Sequence, residues 1–347
     1  MSFSIFRAVS VASRVQTRSY STPRHLLSIA DLTPKEFSKL VLNAAEYKKA
    51  FKAGGSIPDK IKGGLLGQPA VALMFSKRST RTRVSTESAV AMLGGQPMFL
   101  GKDDIQLGVN ESLRDTSQVI SSMTSCMVAR VGPHSDVTGL AEHSTVPVIN
   151  ALSEDFHPLQ TIADFLTIHE AFPAANFKDG SLGLEGKKVA WIGDANNVLF
   201  DLAIGCFKMG VNVSVAAPKG YGIPDRMRDL IKSSGSASEL FETDVPEEAV
   251  KNADILVTDT WVSMGQEAEA KKRLEAFAGY QITNAMAKNG GANADWKFMH
   301  CLPRHPEEVH DEVFYGPKSL VFQEAENRLW AALAALDGFV LNKGNIV

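Results

Sequence analysis

PAVALMFSKRSTRTRVSTESAVAMLGG, residues 69–95, decides the fold. Its apolar run ending near Phe75 has the length of a buried strand, and residues 82–95 read as a helix closed by Gly94 and Gly95. A buried strand followed by a helix is the repeating unit of a parallel α/β sheet. The segment between them packs Lys77, Arg78, Arg81 and Arg83 among hydroxyl residues. At a helix N-terminus, free backbone N–H groups and the helix dipole favour an anion. Ser79, Thr80 and Thr82 add hydroxyl donors there, and Arg81 can grip two phosphate oxygens at once. Arg81 and Arg83 lie about 200° apart around a helix, so Arg81 is expected on the phosphate with Arg83 supporting from behind. A P-loop is excluded, because its glycines are missing. Taken alone, the motif reads either as this phosphate cradle or as a solvated basic turn with capping hydroxyls.

Outward from this unit the alternation continues. Strands are expected in QPMFLG (96–101), CMVARVG (126–132) and VPVINAL (146–152), with a helix in ESLRDTSQVISSM (111–123). The apolar-periodic helix LQTIADFLTIHEAF (159–172) leads to a surface loop, PAANFKDGSLGLEG (173–186). A second set of strands follows in KKVAWIGDA (187–195), VNVSVAAP (211–218), DILVTDTW (254–261) and WKFMHCLP (296–303). The last segment, QEAENRLWAALAALDGFV (323–340), is helical with a broad apolar face that has to pack on something. The expected architecture is α/β: two doubly wound parallel-sheet domains with a cleft between them, and ligands off the carboxyl ends of the strands.

Composition limits the function. The chain has 347 residues, 44% hydrophobic and 22% charged, with a net charge of −3, so no global basic field exists to hold nucleic acid. Its apolar runs are far shorter than the roughly 18 residues of a membrane span. Three cysteines, Cys126, Cys206 and Cys301, form no disulfide framework and suit a reducing compartment. The first thirty residues carry Arg7, Arg14, Arg18 and Arg24, seven serines and no acid. That is the composition of a mitochondrial transit peptide, here expected over residues 1–24, which places the mature protein in the matrix. A disordered basic tail is the alternative.

Other polar residues sit at expected strand ends. Arg130 lies inside an otherwise apolar segment, where an unpaired guanidinium is costly, so it should face an anion or the cleft. His157 and Gln160 of DFHPLQ precede a helix; taken alone, His157 is more often a structural histidine. Cys301 of HCLPR and Asp259 of DTWVSMG also end strands, and each alone reads equally as inert core or turn-former. GDANN (193–197) keeps only Gly193 of a dinucleotide fingerprint, which disfavours a nicotinamide cofactor. His300, His305 and His310 are spaced by five, which suggests no metal face and reads as solvent-exposed loop histidines.

Together KRSTRTR, DIQLGVNES, HPLQ, GDANN, DTWVSMG, HCLPR and AENRLW, in this order, resemble the ornithine carbamoyltransferases over residues 25–345. STRTR and HPxQ are shared with the wider carbamoyltransferase superfamily, whereas DTWVSMG and HCLPR are the acceptor signals. The resemblance implies transfer of the carbamoyl group of carbamoyl phosphate to the δ-amine of L-ornithine, giving L-citrulline and phosphate, with no cofactor and no metal. It implies that Ser79, Thr80, Arg81, Thr82 and Arg130 hold the phosphate, with Gln106 reaching in from a neighbouring subunit of a homotrimer. Thr82, Arg130, His157 and Arg328 are implied at the carbonyl oxygen, and Gln160 and the carbonyl of Leu302 at the carbamoyl NH₂. Asn197, Asp259, Ser263 and Met264 are implied to bind ornithine. The Asp259 carboxylate would orient the ammonium, and a Cys301 thiolate would accept its proton. The implied domains are 25–158 for carbamoyl phosphate and 159–322 for ornithine, with the C-terminal helix (323–347) crossing back to the first. A carbamoyltransferase for another acceptor and a non-catalytic relative remain alternatives.

Overall fold

A computed structural model describes residues 22–105, 107, 111–235, 237–262 and 267–346. Residues 1–21, Gln106, Ser263 and Met264 lie outside the described residues, as does most of the expected leader. Two parallel sheets form. The first comprises β1 (Val71–Phe75), β2 (Pro97–Gly101), β3 (Cys126–Arg130) and β4 (Val148–Leu152) in the order β2-β1-β3-β4. The second comprises β5 (Lys188–Ile192), β6 (Asn212–Ala216), β7 (Leu240–Thr243), β8 (Ile255–Thr258) and β9 (Lys297–His300) in the order β7-β6-β5-β8-β9. All pairings are parallel. β1, β3 and β8 are buried along their whole length, as strands covered by helices on both faces must be.

Helices flank the sheets: α1 (Pro34–Gly54), α2 (Thr80–Met92), α3 (Leu113–Met123), α4 (His134–His143), α5 (Pro158–Ala171) and α6 (Asn197–Lys208) bear on the argument. α1 begins at a capping box in which Thr33 and Glu36 satisfy each other's backbone N–H groups. α5 leaves the first sheet and leads toward the second. The C-terminal helix, Val321–Leu336, packs against α1, α2 and α5, so the apolar face of that segment returns to the first half of the chain. Its Trp330 is fully buried, with Phe51 of α1 at 5.5 Å between ring centroids.

The strand orders fix where a ligand can sit. In the first sheet the order reverses between β1 and β3, and in the second between β5 and β8. At such a switch point the loops leaving adjacent strands diverge and open a crevice at the carboxyl ends. Arg81 follows β1 and Arg130 ends β3, while GDANN follows β5 and Asp259 follows β8. These four therefore lie at the two switch points, while His157 follows the neighbouring strand β4 and Cys301 the neighbouring strand β9. Gly193, at φ 140°, is needed in that turn because a Cβ there would meet Trp261 Nε1 at 3.0 Å and Thr258 Oγ1 at 3.1 Å. Among the described residues, no helix is long and apolar enough to cross a membrane.

Candidate active site

Ser79 caps α2, its Oγ accepting the N–H of Thr82 at 3.4 Å, so Arg81 and Arg83 fall on the first turn of that helix, with Lys77 and Arg78 just ahead of the cap. Arg81 donates from Nη2 to the carbonyl of Leu302, just beyond β9, and so spans from one sheet to the other. Leu302 takes φ 62°, a left-handed conformation costly for a side-chain-bearing residue, and thereby turns that carbonyl toward Arg81. Arg328 of the C-terminal helix donates to Thr82 Oγ1 at 3.1 Å and to Gln160 Oε1 at 2.5 Å. Arg130, Arg328 and His157 are all buried. Among the described residues no partner meets Arg130 Nε, Arg328 Nε or His157 Nδ1.

Electrostatics gives this cluster its chemistry. Burial, with Arg81 as a nearby like charge, lowers the pKa of Arg130 to about 10. Burial, with Arg130 and Arg81, does the same to Arg328, again to about 10. His157 is driven well below its ordinary value by burial and by Arg328, Arg130 and Arg81, so its imidazole is neutral at physiological pH. Three guanidiniums crowd one another around unsatisfied donors at a helix N-terminus. An anion relieves both their repulsion and their unpaired N–H groups.

Behind Arg328 lies a support that sequence reasoning missed. Gln160 Nε2 donates to Asp164 Oδ1 at 2.8 Å and to Glu324 Oε1 at 3.0 Å, which leaves its Oε1 facing Arg328. Glu324 Oε2 accepts the His300 N–H at 2.9 Å, so this buried pair of carboxyls joins α5, the C-terminal helix and β9. Burial raises the pKa of both, that of Asp164 from 3.8 to about 7, and the neighbouring Asp164 charge adds to the rise at Glu324. The folded state therefore binds more protons than the unfolded chain between about pH 4 and pH 7, and this pair's contribution to stability falls as pH rises through that window. Asp164→Asn is expected to flatten the decline, measured as denaturation midpoints across pH 4–8.

On the second sheet, Asp259 is buried after β8. Its Oδ2 accepts from Asn196 Nδ2 at 2.8 Å, and its Oδ1 accepts the Cys301 thiol at 3.1 Å. Asn196 also caps α6, and its part was not read from the sequence. Asn197 donates to the carbonyl of Ser153 at 2.6 Å, toward the loop that presents His157. Arg273 pairs with Asp194 of GDANN and donates to the Trp261 carbonyl at 2.6 Å, fixing the backbone next to the Ser-Met-Gly segment.

Three expectations are corrected. The tuning of Cys301 runs opposite to a ready base: burial, Asp259 and Glu324 push its thiol well above the ordinary value. The resting site holds a thiol that donates to Asp259. Alkylation of Cys301 by iodoacetamide at pH 8 is therefore expected to be much slower than that of a free thiol, followed by mass spectrometry of the Cys301 peptide. Arg83 does not support the cradle. It is exposed, donates to Glu87 at 2.9 Å and stacks 3.6 Å over the Phe99 ring, because two helical residues further on its side chain points to the outer face. His300 is not a loop histidine: it ends β9, fully buried, with Nε2 at 2.9 Å from Glu308 and Nδ1 accepting the Leu302 N–H at 2.8 Å. The ligand atoms of Asp259, His300 and Cys301 lie within 4.8 Å of one another, but both imidazole nitrogens are engaged, which leaves none for a metal.

Two family models match the chain: the aspartate/ornithine carbamoyltransferase carbamoyl-P binding domain over residues 24–170, and the Asp/Orn binding domain over 185–338. The chain belongs to the aspartate/ornithine carbamoyltransferase family. It is 66% identical over 334 residues to a protein of Coccidioides immitis named ornithine carbamoyltransferase, mitochondrial, covering 94% of this chain and 95% of that one. A Schizosaccharomyces pombe protein of the same name is 54% identical over 329 residues, covering 94% and 97%. A crystal structure of a mitochondrial ornithine carbamoyltransferase from Coccidioides immitis superposes with a TM-score of 0.88 at 64% identity, covering 94% of this chain and all of that one. The Pyrococcus furiosus ornithine carbamoyltransferase superposes at 0.81 with 40% identity, covering 92% and 98%. The first model spans β1–β4 and the second spans β5–β9, one model to each sheet.

Proposed function

We infer that this carbamoyltransferase transfers the carbamoyl group of carbamoyl phosphate to the δ-amine of L-ornithine, giving L-citrulline and phosphate, and that it works in the mitochondrion, in the matrix. The observation that carries this is the half-buried Arg81 beside the buried Arg130, Arg328 and His157, whose donors have no partner among the described residues, close to Asp259 and Cys301. Ser79, Thr80, Arg81 and Thr82 hold the phosphate, with Arg130 in reach and Gln106 of a neighbouring subunit completing the site in a homotrimer. His157, Arg130, Thr82 and Arg328 donate to the carbonyl oxygen as negative charge develops on it. Gln160 and the Leu302 carbonyl accept from the carbamoyl NH₂. Arg81 leaves that carbonyl for the phosphate when substrate binds.

Ornithine lies against Asp259 and Asn197, with Ser263 and Met264 closing over its α-amino and carboxylate groups. Its δ-ammonium has to lose a proton before attack, since an amine with a pKa near 10.4 is only about one part in a thousand neutral near pH 7.5. Asp259 attracts and orients that ammonium. Burial, then Asp259 and Glu324, hold Cys301 as a thiol; an ammonium seated on Asp259 offsets one of those charges, so that the thiol can release its proton to solvent and the resulting thiolate can accept the proton of the δ-ammonium. Residues 25–158 with the C-terminal helix (323–347) form the carbamoyl-phosphate unit and 159–322 the ornithine unit. The expected leader, residues 1–24, includes Arg24, which pairs with Glu36 and donates to the Gly344 carbonyl at 2.9 Å; these contacts support cleavage just before Arg24 rather than after it.

The test of the acceptor is a panel of L-ornithine, putrescine, N-acetylornithine and aspartate, each supplied with carbamoyl phosphate, with carbamoylated product measured. Turnover confined to ornithine supports the assignment. Preference for another acceptor overturns the role given to DTWVSMG and HCLPR, and no turnover with any acceptor favours a non-catalytic relative.

A further inference from the structure

Asp201 is a fully buried carboxylate in the second turn of α6, outside every motif discussed above. Its hydrogen-bond partners among the described residues are all donors. Oδ1 accepts the Ser28 hydroxyl at 2.8 Å and the Ile29 N–H at 3.0 Å, and Oδ2 accepts the His157 N–H at 2.8 Å. His157 stands at the N-cap position of α5, so its N–H precedes the helix and has no partner within it. One turn earlier on α6, Asn197 donates to the Ser153 carbonyl at 2.6 Å. Positions four apart share a helix face, so α6 grips the loop 153–157 at both ends. That loop presents the imidazole whose Nδ1 lies buried without a partner among the described residues. The remaining bonds of Asp201 tie in the chain just after the expected leader, residues 28 and 29.

We propose that Asp201 is a positioning residue for carbamoyl transfer. By holding the His157 backbone to α6 and to the Ser28–Ile29 segment, it aims the imidazole at the carbamoyl carbonyl oxygen. This rests on the role given to His157 above. A carboxylate suits the position because all three contacts need an acceptor. An asparagine of the same shape would turn an NH₂ against one of those donors, leaving a buried donor unsatisfied.

The test is a double-mutant cycle of Asp201→Asn and His157→Ala, with Asp201→Ser as a second variant that buries no opposing NH₂. Steady-state constants for carbamoyl phosphate and the inhibition constant for inorganic phosphate are measured. Asp201→Asn alone is expected to raise KM for carbamoyl phosphate and lower kcat, together costing about tenfold to a hundredfold in kcat/KM. Phosphate inhibition should stay within about twofold, since His157 serves the carbonyl and not the phosphate. In the His157→Ala background, Asp201→Asn should have almost no further effect. Equal losses in both backgrounds, a parallel loss of phosphate inhibition, or wild-type constants in a folded Asp201→Ser variant overturn the proposal. If His157→Ala itself leaves kcat/KM unchanged, the role of His157 fails and the proposal falls with it. A loss in His157→Ala without one in Asp201→Asn overturns the proposal alone.

Discussion

Arg81→Ala is expected to lower kcat/KM for carbamoyl phosphate by on the order of 10³ or more, with the folded structure retained. Arg81 lies on the first turn of α2, where the helix N-terminus alone cannot balance a dianion and the charge of the leaving phosphate. Its removal also frees the Leu302 carbonyl, the contact by which this side chain spans from the first sheet to the second. Stability should change little or rise, because the like charge that burdens both Arg130 and Arg328 is gone. Kinetics together with a thermal melt test both halves. Near-normal turnover would remove Arg81 from the phosphate site, and Arg83→Ala serves as the control, expected to stay close to wild type.

Asp259→Asn carries the second large effect. The amide keeps the shape and can still face Asn196, but no longer attracts an ammonium. The expected result is a loss in kcat/KM for ornithine of about 10² to 10³, with KM for carbamoyl phosphate nearly unchanged. A second readout has a fixed sign. The Asp259 charge is one cause of the raised Cys301 pKa, so its neutralisation should lower that pKa and speed alkylation of Cys301. A variant that lost activity while Cys301 stayed equally unreactive would separate the two residues and contradict the coupling.

The sheets were legible because strands buried on both faces read as continuous apolar runs bounded by turns. β1, β3, β4, β5, β6, β8 and β9 all fall within the segments named from the sequence, as does β2. β7 was missed for the opposite reason: it is an edge strand with Phe241 and Glu242 exposed, so it carries no buried run. α1 was passed over although Thr33, Pro34 and Glu36 spell a capped helix start. At the site, motif residues at strand ends could be found, because a polar group there has to face a crevice. Asp164, Asp201, Glu308 and Glu324 could not, since a carboxylate in a helical or loop stretch ordinarily reads as solvated. Only the convergence of separate elements on them reveals burial. His300 failed in the same way, because spacing along a chain says nothing of what packs over it.

Carbamoyl phosphate is assigned to Arg81 together with the buried Arg130, Arg328 and His157. A crystal structure of the protein with carbamoyl phosphate bound tests this assignment most directly. Phosphate oxygens are expected at the N-terminus of α2 on Arg81, with the carbonyl oxygen within hydrogen-bond distance of His157 and Arg130, and Arg81 released from Leu302. Phosphate bound elsewhere, with Arg81 still on Leu302 and His157 Nδ1 still unpartnered, would contradict it.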